Sequence, residues 1–113
     1  MMAQRVFNAI NAGLKISTKY NDLFFEELVR ADTTITYYYN QDGKIHNTHG
    51  PAIVTRENGI VTRQKFVCRG VAYDDLIQSL VDSQSIELLT DDSGEITFSE
   101  TDKFTITMAM EVE

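Results

Sequence analysis

The chain has 113 residues, of which 42% are hydrophobic, so it can form one packed domain and is not disordered along its whole length. Its formal charge of −7 is unevenly placed: residues 1–73 carry nine Lys or Arg and six Asp or Glu, whereas residues 74–113 carry one Lys and eleven acids. This distribution disfavours nucleic acid as a direct ligand and favours a basic partner. We therefore predict a single domain over 1–113 with an acidic C-terminal third.

The first third of the chain predicts helices. Apolar residues spaced three to four positions apart form one face of a helix over 3–12, and Gly13 follows where helices commonly end. A second helix is predicted over 22–30, with Asn21 as its N-cap and acidic residues in its first turns. Region 1–31 is accordingly predicted to be helical.

Region 33–73 predicts an antiparallel β-meander, because β-branched and aromatic residues replace the helical spacing. A turn is expected at 40–43, where Gly43 can adopt a positive φ. Asn58–Gly59 is the strongest two-residue hairpin signal in the chain. The predicted strands cover 33–39, 52–56 and 60–68.

Region 74–113 predicts a short helix followed by an acidic β-hairpin. The helix is expected over 74–82, where Asp74 and Asp75 suit the positive end of the helix dipole. Apolar and polar residues alternate over 104–112, as in a half-buried strand. The other strands are predicted at 86–90 and 96–98, with a turn at 91–94 between them. The predicted fold class is α+β: N-terminal helices, an antiparallel β-meander, one short helix and a C-terminal β-hairpin.

Two segments of the meander echo each other at an offset of 27 residues. Tyr39 to His46 and Phe66 to Tyr73 both read as an aromatic residue, three residues, Gly, two residues, then His or Tyr. This arrangement fits a strand that ends in a glycine turn and returns an aromatic residue to the sheet. The second copy lacks the Gly-Pro-Ala that follows the first.

The first copy continues to Gly50-Pro51-Ala52 and resembles a repeat of many small phage- and prophage-encoded proteins, similar in style to the MORN β-hairpin repeat. The resemblance covers 37–73 and rests on Gly43, His46 and the Gly-Pro-Ala. The usual Arg and acid after the His are absent, and Asn47-Thr48-His49 stands there instead. The resemblance implies a viral or mobile-element origin and no catalytic residues, because the repeat is architectural.

Residues with catalytic or metal-binding chemistry are few. His46, His49 and Cys68 offer three zinc ligands, but a structural zinc site normally needs four. Cys68 with His46 would suit a nucleophile and its base, yet no nucleophile motif surrounds Cys68. Adjacent carboxylates on a helix point in different directions, and those of a turn serve the turn. We expect no enzymatic activity, no cofactor and no bound metal.

The cysteine content and the pattern of apolar residues also predict where in the cell the protein acts. Cys68 is the single cysteine and cannot form a disulfide within the chain, which favours a reducing compartment. The first residues lack the pattern of a signal peptide, and no apolar run reaches the roughly 18 residues of a membrane span. We expect a protein of the host-cell cytoplasm that does not enter a membrane.

Four basic residues on and beside the third predicted strand suggest one further binding mode. With Tyr37, Tyr38 and Tyr39 nearby, they would suit a platform that stacks single-stranded nucleic acid. The alternative is an ordinary solvated sheet face with charges that prevent aggregation. The net negative charge favours this alternative. The four residues are Arg56, Arg63, Lys65 and Arg69.

The acidic block supports a sharper hypothesis. If its carboxylates share one face, they imitate the charge of a nucleic-acid backbone, as in small phage inhibitors of nucleic-acid-handling enzymes, anti-CRISPR proteins among them. The predicted partner is a basic host protein or nucleoprotein complex. The tyrosines would anchor the complex, because aromatic residues dominate interface energetics. The predicted partner-binding residues are Asp74, Asp75, Asp82, Glu87, Asp91, Asp92, Glu95, Tyr37, Tyr38 and Tyr39.

A structural or assembly role is the alternative to inhibition. The alternating segment Thr105–Val112 would then act as an edge strand that pairs with a second copy of the chain to give a homodimer.

Overall fold

A computed structural model of the chain describes residues 8–111. Its largest element is a five-stranded antiparallel sheet in which each strand pairs with the next along the chain. This simple order arises because every connection is short enough for consecutive strands to be neighbours. The strands are β1 (Lys15–Ile16), β2 (Phe24–Arg30), β3 (Thr33–Tyr39), β4 (Ile53–Glu57) and β5 (Ile60–Lys65).

The remaining elements follow the sheet in the chain. Four of them are strands that form two antiparallel hairpins, β6–β7 and β8–β9, and two are helices. We call residues 74–111 the C-terminal lobe. The elements are β6 (Val67–Cys68), β7 (Val71–Ala72), α1 (Asp74–Asp82), β8 (Leu89–Thr90), β9 (Ile96–Thr97) and α2 (Glu100–Glu111).

A hydrophobic core holds the C-terminal lobe to the end of the sheet. The buried residues of this core come from the segment after β5, both helices and the chain between them. Ile106 of α2 is fully buried within it, and the Phe66 and Phe98 rings lie 5.6 Å apart. The core consists of Phe66, Tyr73, Ile77, Ile86, Phe98 and Ile106.

The predicted α+β class, the meander, the short helix at 74–82 and a hairpin in the C-terminal region are confirmed. The predicted strand 33–39 is β3, and Asn58–Gly59 forms the β4–β5 turn with φ of 55° and 81°. Both residues have positive φ, as a two-residue hairpin turn requires. Of the predicted helix 3–12, residues 8–11 are helical, and residues 3–7 lie outside the described residues.

The predicted helix over 22–30 is wrong, because Phe24–Arg30 is strand β2. All seven of its residues pair with β3, from Phe24 opposite Tyr39 to Arg30 opposite Thr33. The apolar residues that the predicted helix would place on one face therefore lie on opposite faces of the sheet. Pairing with a neighbouring strand outweighs the weak local preference for helix.

The predicted strand over 104–112 is also wrong, because residues 104–111 belong to helix α2. The Thr105 and Thr107 hydroxyls donate hydrogen bonds to carbonyls four residues earlier, at 3.1 and 2.9 Å. Of the alternating apolar residues from 104 to 110, only Ile106 is fully buried, and Phe104 is 66% exposed. The alternation therefore does not mark two faces of a strand.

Two further predicted strands are shorter than expected. The strand over 60–68 is interrupted at Phe66, whose N–H donates to Asp74 Oδ1 at 3.0 Å. Within 86–90 only Leu89–Thr90 is strand. In both places a backbone N–H donates to a carboxylate and not to a neighbouring strand: Phe66 to Asp74 and Glu87 to Asp102.

Candidate functional site

The predicted acids at the start of α1 have different environments. Asp74 is half-buried and accepts the Phe66 N–H, so it fixes the chain between β5 and β6. Asp75 is exposed. Both lie in the first turn of α1, where the helix dipole stabilises negative charge. Asp75 is therefore free to face a partner, whereas Asp74 has a structural contact.

A second acidic group forms where α1 ends and α2 begins. Asp102 Oδ2 accepts the Glu87 N–H at 3.1 Å, which brings the chain before β8 against the first turn of α2. Asp82, the last residue of α1, accepts a hydrogen bond from Gln78 Nε2 at 2.9 Å. The side chains of Asp82 and Glu87 are exposed.

The β8–β9 hairpin places Asp91 and Asp92 in its turn. Asp91 Oδ1 accepts the Ser93 hydroxyl at 2.7 Å, the Ser93 N–H at 2.9 Å and the Glu95 N–H at 3.0 Å. The hydrogen bond from the Ser93 hydroxyl is the main reason that the pKa of Asp91 lies below its ordinary value. Both acids are exposed, so this turn presents two carboxylates to solvent.

Glu95 differs from every other predicted acid because it is 1% exposed. Its carboxylate forms ion pairs with Lys19 and Arg56 and accepts a hydrogen bond from the Tyr20 hydroxyl at 3.4 Å. Two cations from the first two-thirds of the chain therefore neutralise it. Glu95 fastens the β8–β9 hairpin to the sheet and is not part of an exposed acidic surface.

The three consecutive tyrosines do not form one cluster. Tyr38 is buried on the face of the sheet that also carries Val54 and Arg56, which we call the inner face. Its ring meets Tyr20 edge to face at 5.1 Å, and burial raises its pKa to about 12. Tyr37 and Tyr39 lie on the opposite, outer face. The predicted anchor is therefore divided between two sides of the sheet.

The outer face is a mixed apolar and charged surface. One cross-strand row places Glu26, Tyr37, Ile53 and Lys65 side by side. The Tyr39 hydroxyl donates a hydrogen bond to Glu26 Oε1 at 3.1 Å. Partial burial and this carboxylate raise the pKa of Tyr39 to about 12.

The predicted basic platform is likewise divided. Arg63 and Lys65 lie on the outer face, whereas Arg56 lies on the inner face and is paired with Glu95. Arg69 lies in the β6–β7 turn. Only two of the four basic residues therefore share a sheet face with Tyr37 and Tyr39.

The two histidines and the cysteine have separate partners. His46 Nδ1 accepts the Arg69 N–H at 3.0 Å, and burial together with the nearby Arg69 charge lowers the pKa of His46. His49 Nε2 lies 3.2 Å from Asp22 Oδ1, and its ring stacks on Tyr20. Cys68 is a half-buried free thiol. Over residues 8–111, no three His, Cys, Asp or Glu side chains are grouped to hold a metal ion.

Asn47 is a buried residue that sequence reasoning did not single out. Its side chain donates to the Pro51 carbonyl at 3.0 Å and accepts the His49 N–H at 2.8 Å. Its own carbonyl accepts the Tyr73 hydroxyl at 2.6 Å. Asn47 thus joins the loop that follows the first echoing segment to the end of the second segment, and the turn residues around it give no sequence signal of this role.

Compared with known proteins, the chain matches no family model, no curated protein sequence and no solved structure. In the part of the chain that the structure describes, every helix is too short or too polar to cross a membrane. Function is therefore inferred from geometry and charge alone.

Proposed function

We propose that the chain is a non-enzymatic interaction protein of phage type, which inhibits a host nucleic-acid-handling or defence complex, in the manner of anti-CRISPR proteins, by occluding it. It acts in the host-cell cytoplasm and binds a basic protein or nucleoprotein complex through acids of the C-terminal lobe. The proposal concerns charge and surface, and it requires no cofactor.

The observation that carries this proposal is the uncompensated charge of the lobe surface. The one cation within residues 74–111 is Lys103, whose Nζ lies 3.0 Å from Glu100. Lys19 and Arg56, which reach the lobe from the sheet side, are paired with the buried Glu95. Arg69 lines a cavity with Asp75, so the acids remote from it carry most of the uncompensated charge. Within residues 74–110, the exposed acids are Asp75, Asp82, Glu87, Asp91, Asp92 and Glu100.

Such a surface recognises a cationic partner mainly through long-range attraction. Complementary charge raises the association rate, and salt weakens it because the Debye length falls to about 10 Å at 0.1 M. An occluding inhibitor needs no reaction chemistry, so the separated partners of His46, His49 and Cys68 are compatible with this role. Tyr37 and Tyr39 are half-buried on the outer face of the sheet and are secondary to the proposal.

The test compares two triple substitutions that change the net charge equally. The first neutralises the lobe acids with Asp75→Asn, Glu87→Gln and Asp92→Asn. The matched control neutralises exposed sheet acids with Glu27→Gln, Asp32→Asn and Glu57→Gln. Binding to immobilised polylysine and to basic proteins of a host lysate is measured from low to high salt.

We expect the lobe variant to bind at least about tenfold more weakly, with a shallower salt dependence, and the control to lose much less. Equal losses in the two variants would show that total charge, and not the lobe, determines binding. Retained binding in the lobe variant would exclude the acidic surface as the site.

The alternative assembly role cannot use its predicted edge strand, because residues 105–111 are helical. Another strand of the sheet offers a more suitable edge.

A further inference from the structure

Strand β2 has an open edge. β1 covers only its first two residues, with Lys15 opposite Phe25 and Ile16 opposite Phe24. Among residues 8–111, no strand pairs with Glu26–Arg30 on the side away from β3. An exposed strand edge of this kind is a ready template for another strand.

The backbone groups of this edge can be assigned from the β2–β3 hairpin. Arg30 and Thr33 close a two-residue turn and form a hydrogen-bonded pair, so the N–H and C=O groups of Arg30, Leu28 and Glu26 point towards β3. The backbone N–H and C=O groups of Glu27 and Val29 therefore point away from β3, towards the open edge. The Leu23 carbonyl, which accepts the Ser17 N–H at 2.9 Å on the β1 side, follows the same alternation.

The side chains along the open edge are unusually exposed for a strand. Leu28 is 50% exposed and Val29 is 67% exposed, and charged residues flank them on both sides. The segment reads Glu26-Glu27-Leu28-Val29-Arg30. Acids at one end and a base at the other make it complementary to a second copy that runs in the opposite direction.

We propose that two copies of the chain pair through β2, antiparallel and about a two-fold axis at Leu28, to form one continuous sheet. Glu27 of each copy exchanges two main-chain hydrogen bonds with Val29 of the partner subunit. Glu26 lies opposite Arg30 of the partner subunit, and the two Leu28 side chains meet on the outer face. The inference does not depend on the proposed inhibitory function.

Hydrogen bonding and charge select this register. A shift by one residue places inward-pointing backbone groups opposite outward-pointing ones. A shift by two residues in one direction places the two Glu27 side chains opposite each other and requires Phe25, which is already paired with Lys15. The same shift in the other direction places Arg30 opposite Leu28. Only the register centred on Leu28 gives two oppositely charged cross-strand pairs, which stabilise antiparallel strands.

The experiment measures molar mass by sedimentation equilibrium across a wide concentration range. The wild-type chain should rise from 12.8 kDa towards twice that value as concentration increases. Glu26→Arg places two cations opposite each other, and Arg30→Glu places two anions opposite each other. Each single variant should dimerise at least about tenfold more weakly.

Mixing the two single variants is the decisive step. In the mixture, a Glu26→Arg chain can pair with an Arg30→Glu chain so that both contacts join opposite charges, and dimers should reappear. The double variant in one chain should also dimerise, at unchanged net charge. The matched control exchanges Glu57 and Arg63, which are exposed charges of β4 and β5, by Glu57→Arg and Arg63→Glu, and should dimerise like wild type.

Val29→Pro tests the proposed main-chain hydrogen bonds between the two copies. It removes an N–H that points away from β3, so the circular dichroism spectrum should be retained while dimerisation is lost. A wild-type chain that stays monomeric at every concentration would overturn the proposal. So would a mixture of the single variants that fails to associate, or a dimer that persists with Val29→Pro.

Discussion

The sheet and the C-terminal lobe are stabilised in different ways. The sheet consists of consecutive antiparallel strands held by backbone ladders, and several of its apolar side chains, such as Leu28, Val29 and Ile60, remain largely exposed. The lobe contains strands of only two residues, and its helices meet through one small cluster of buried side chains. The sheet therefore combines extensive backbone pairing with buried side chains such as Val54 and Tyr38, whereas the lobe has little strand pairing and depends mainly on its side-chain cluster.

The largest expected effect is in the lobe core. Ile106→Ala removes a fully buried side chain that packs in the cluster with Phe66, Ile77 and Phe98, and should cost about 2–5 kcal/mol of unfolding free energy. Urea denaturation followed by circular dichroism measures this cost. Ile60→Ala, at an exposed position of β5, should cost less than about 1 kcal/mol. Equal costs would contradict the view that the lobe depends on its side-chain core.

The next largest effect is expected at the contact between the two regions. Glu95→Leu removes the buried carboxylate and leaves Lys19 and Arg56 close together without their anion. Breaking a buried pair typically costs 3–5 kcal/mol, and partial exposure of both cations reduces the expected loss to about 2 kcal/mol. Asp92→Asn, at an exposed acid of the same hairpin, is the control and should be nearly neutral.

A second outcome of the Glu95 variant distinguishes attachment from overall stability. If Glu95 fastens the β8–β9 hairpin to the sheet, amide hydrogen exchange should increase for Val61, whose N–H donates to the Ser93 carbonyl at 2.9 Å. Amides in the β2–β3 pairing should keep their protection. Uniform loss of protection would show that the two regions unfold as one unit.

Sequence reasoning succeeded where the signal is local. Asn58–Gly59 specifies its own turn, and the spacing of Leu76, Ile77 and Leu80 with acids at the start specifies α1. The sequence does not predict β2. The turn after this strand, at Ala31 and Asp32, lacks the usual Asn-Gly signature although Ala31 has a φ of 54°. Long-range pairing with β3 determined that strand, and no local pattern reveals it.

The candidate site was less predictable than the fold. Glu95 cannot be distinguished from Asp91 or Asp92 in the sequence, because its cationic partners Lys19 and Arg56 lie 76 and 39 residues away. The run of three tyrosines predicts one anchor, yet strand alternation places Tyr38 on the opposite face from its neighbours. Burial and charge neutralisation are tertiary properties, so the exposed acids could be identified only after folding.

The smallest expected effect is the pH dependence of stability that arises at His46, where the two echoing segments meet. Because the pKa of His46 is lowered in the folded chain, protonation is less favourable there than in the unfolded chain. The contribution of His46 to the free energy of unfolding should therefore be fully present above the ordinary histidine pKa of 6.5. It should be lost as the pH falls below that value towards the lowered pKa of the folded chain. Protonation also removes the Nδ1 lone pair that accepts the Arg69 N–H.

Thermal unfolding between pH 7.5 and pH 5 measures this effect. His46→Gln keeps a side-chain acceptor for the Arg69 N–H but does not titrate, so its melting temperature should fall less over this range than that of wild type. Asp91 does not interfere, because its pKa lies below 3.8 and outside the range. His49→Gln is the matched control and should retain the wild-type decrease. If His46→Gln loses as much stability as wild type on acidification, the pH sensitivity arises elsewhere, and the contact between His46 and the β6–β7 turn is not its source.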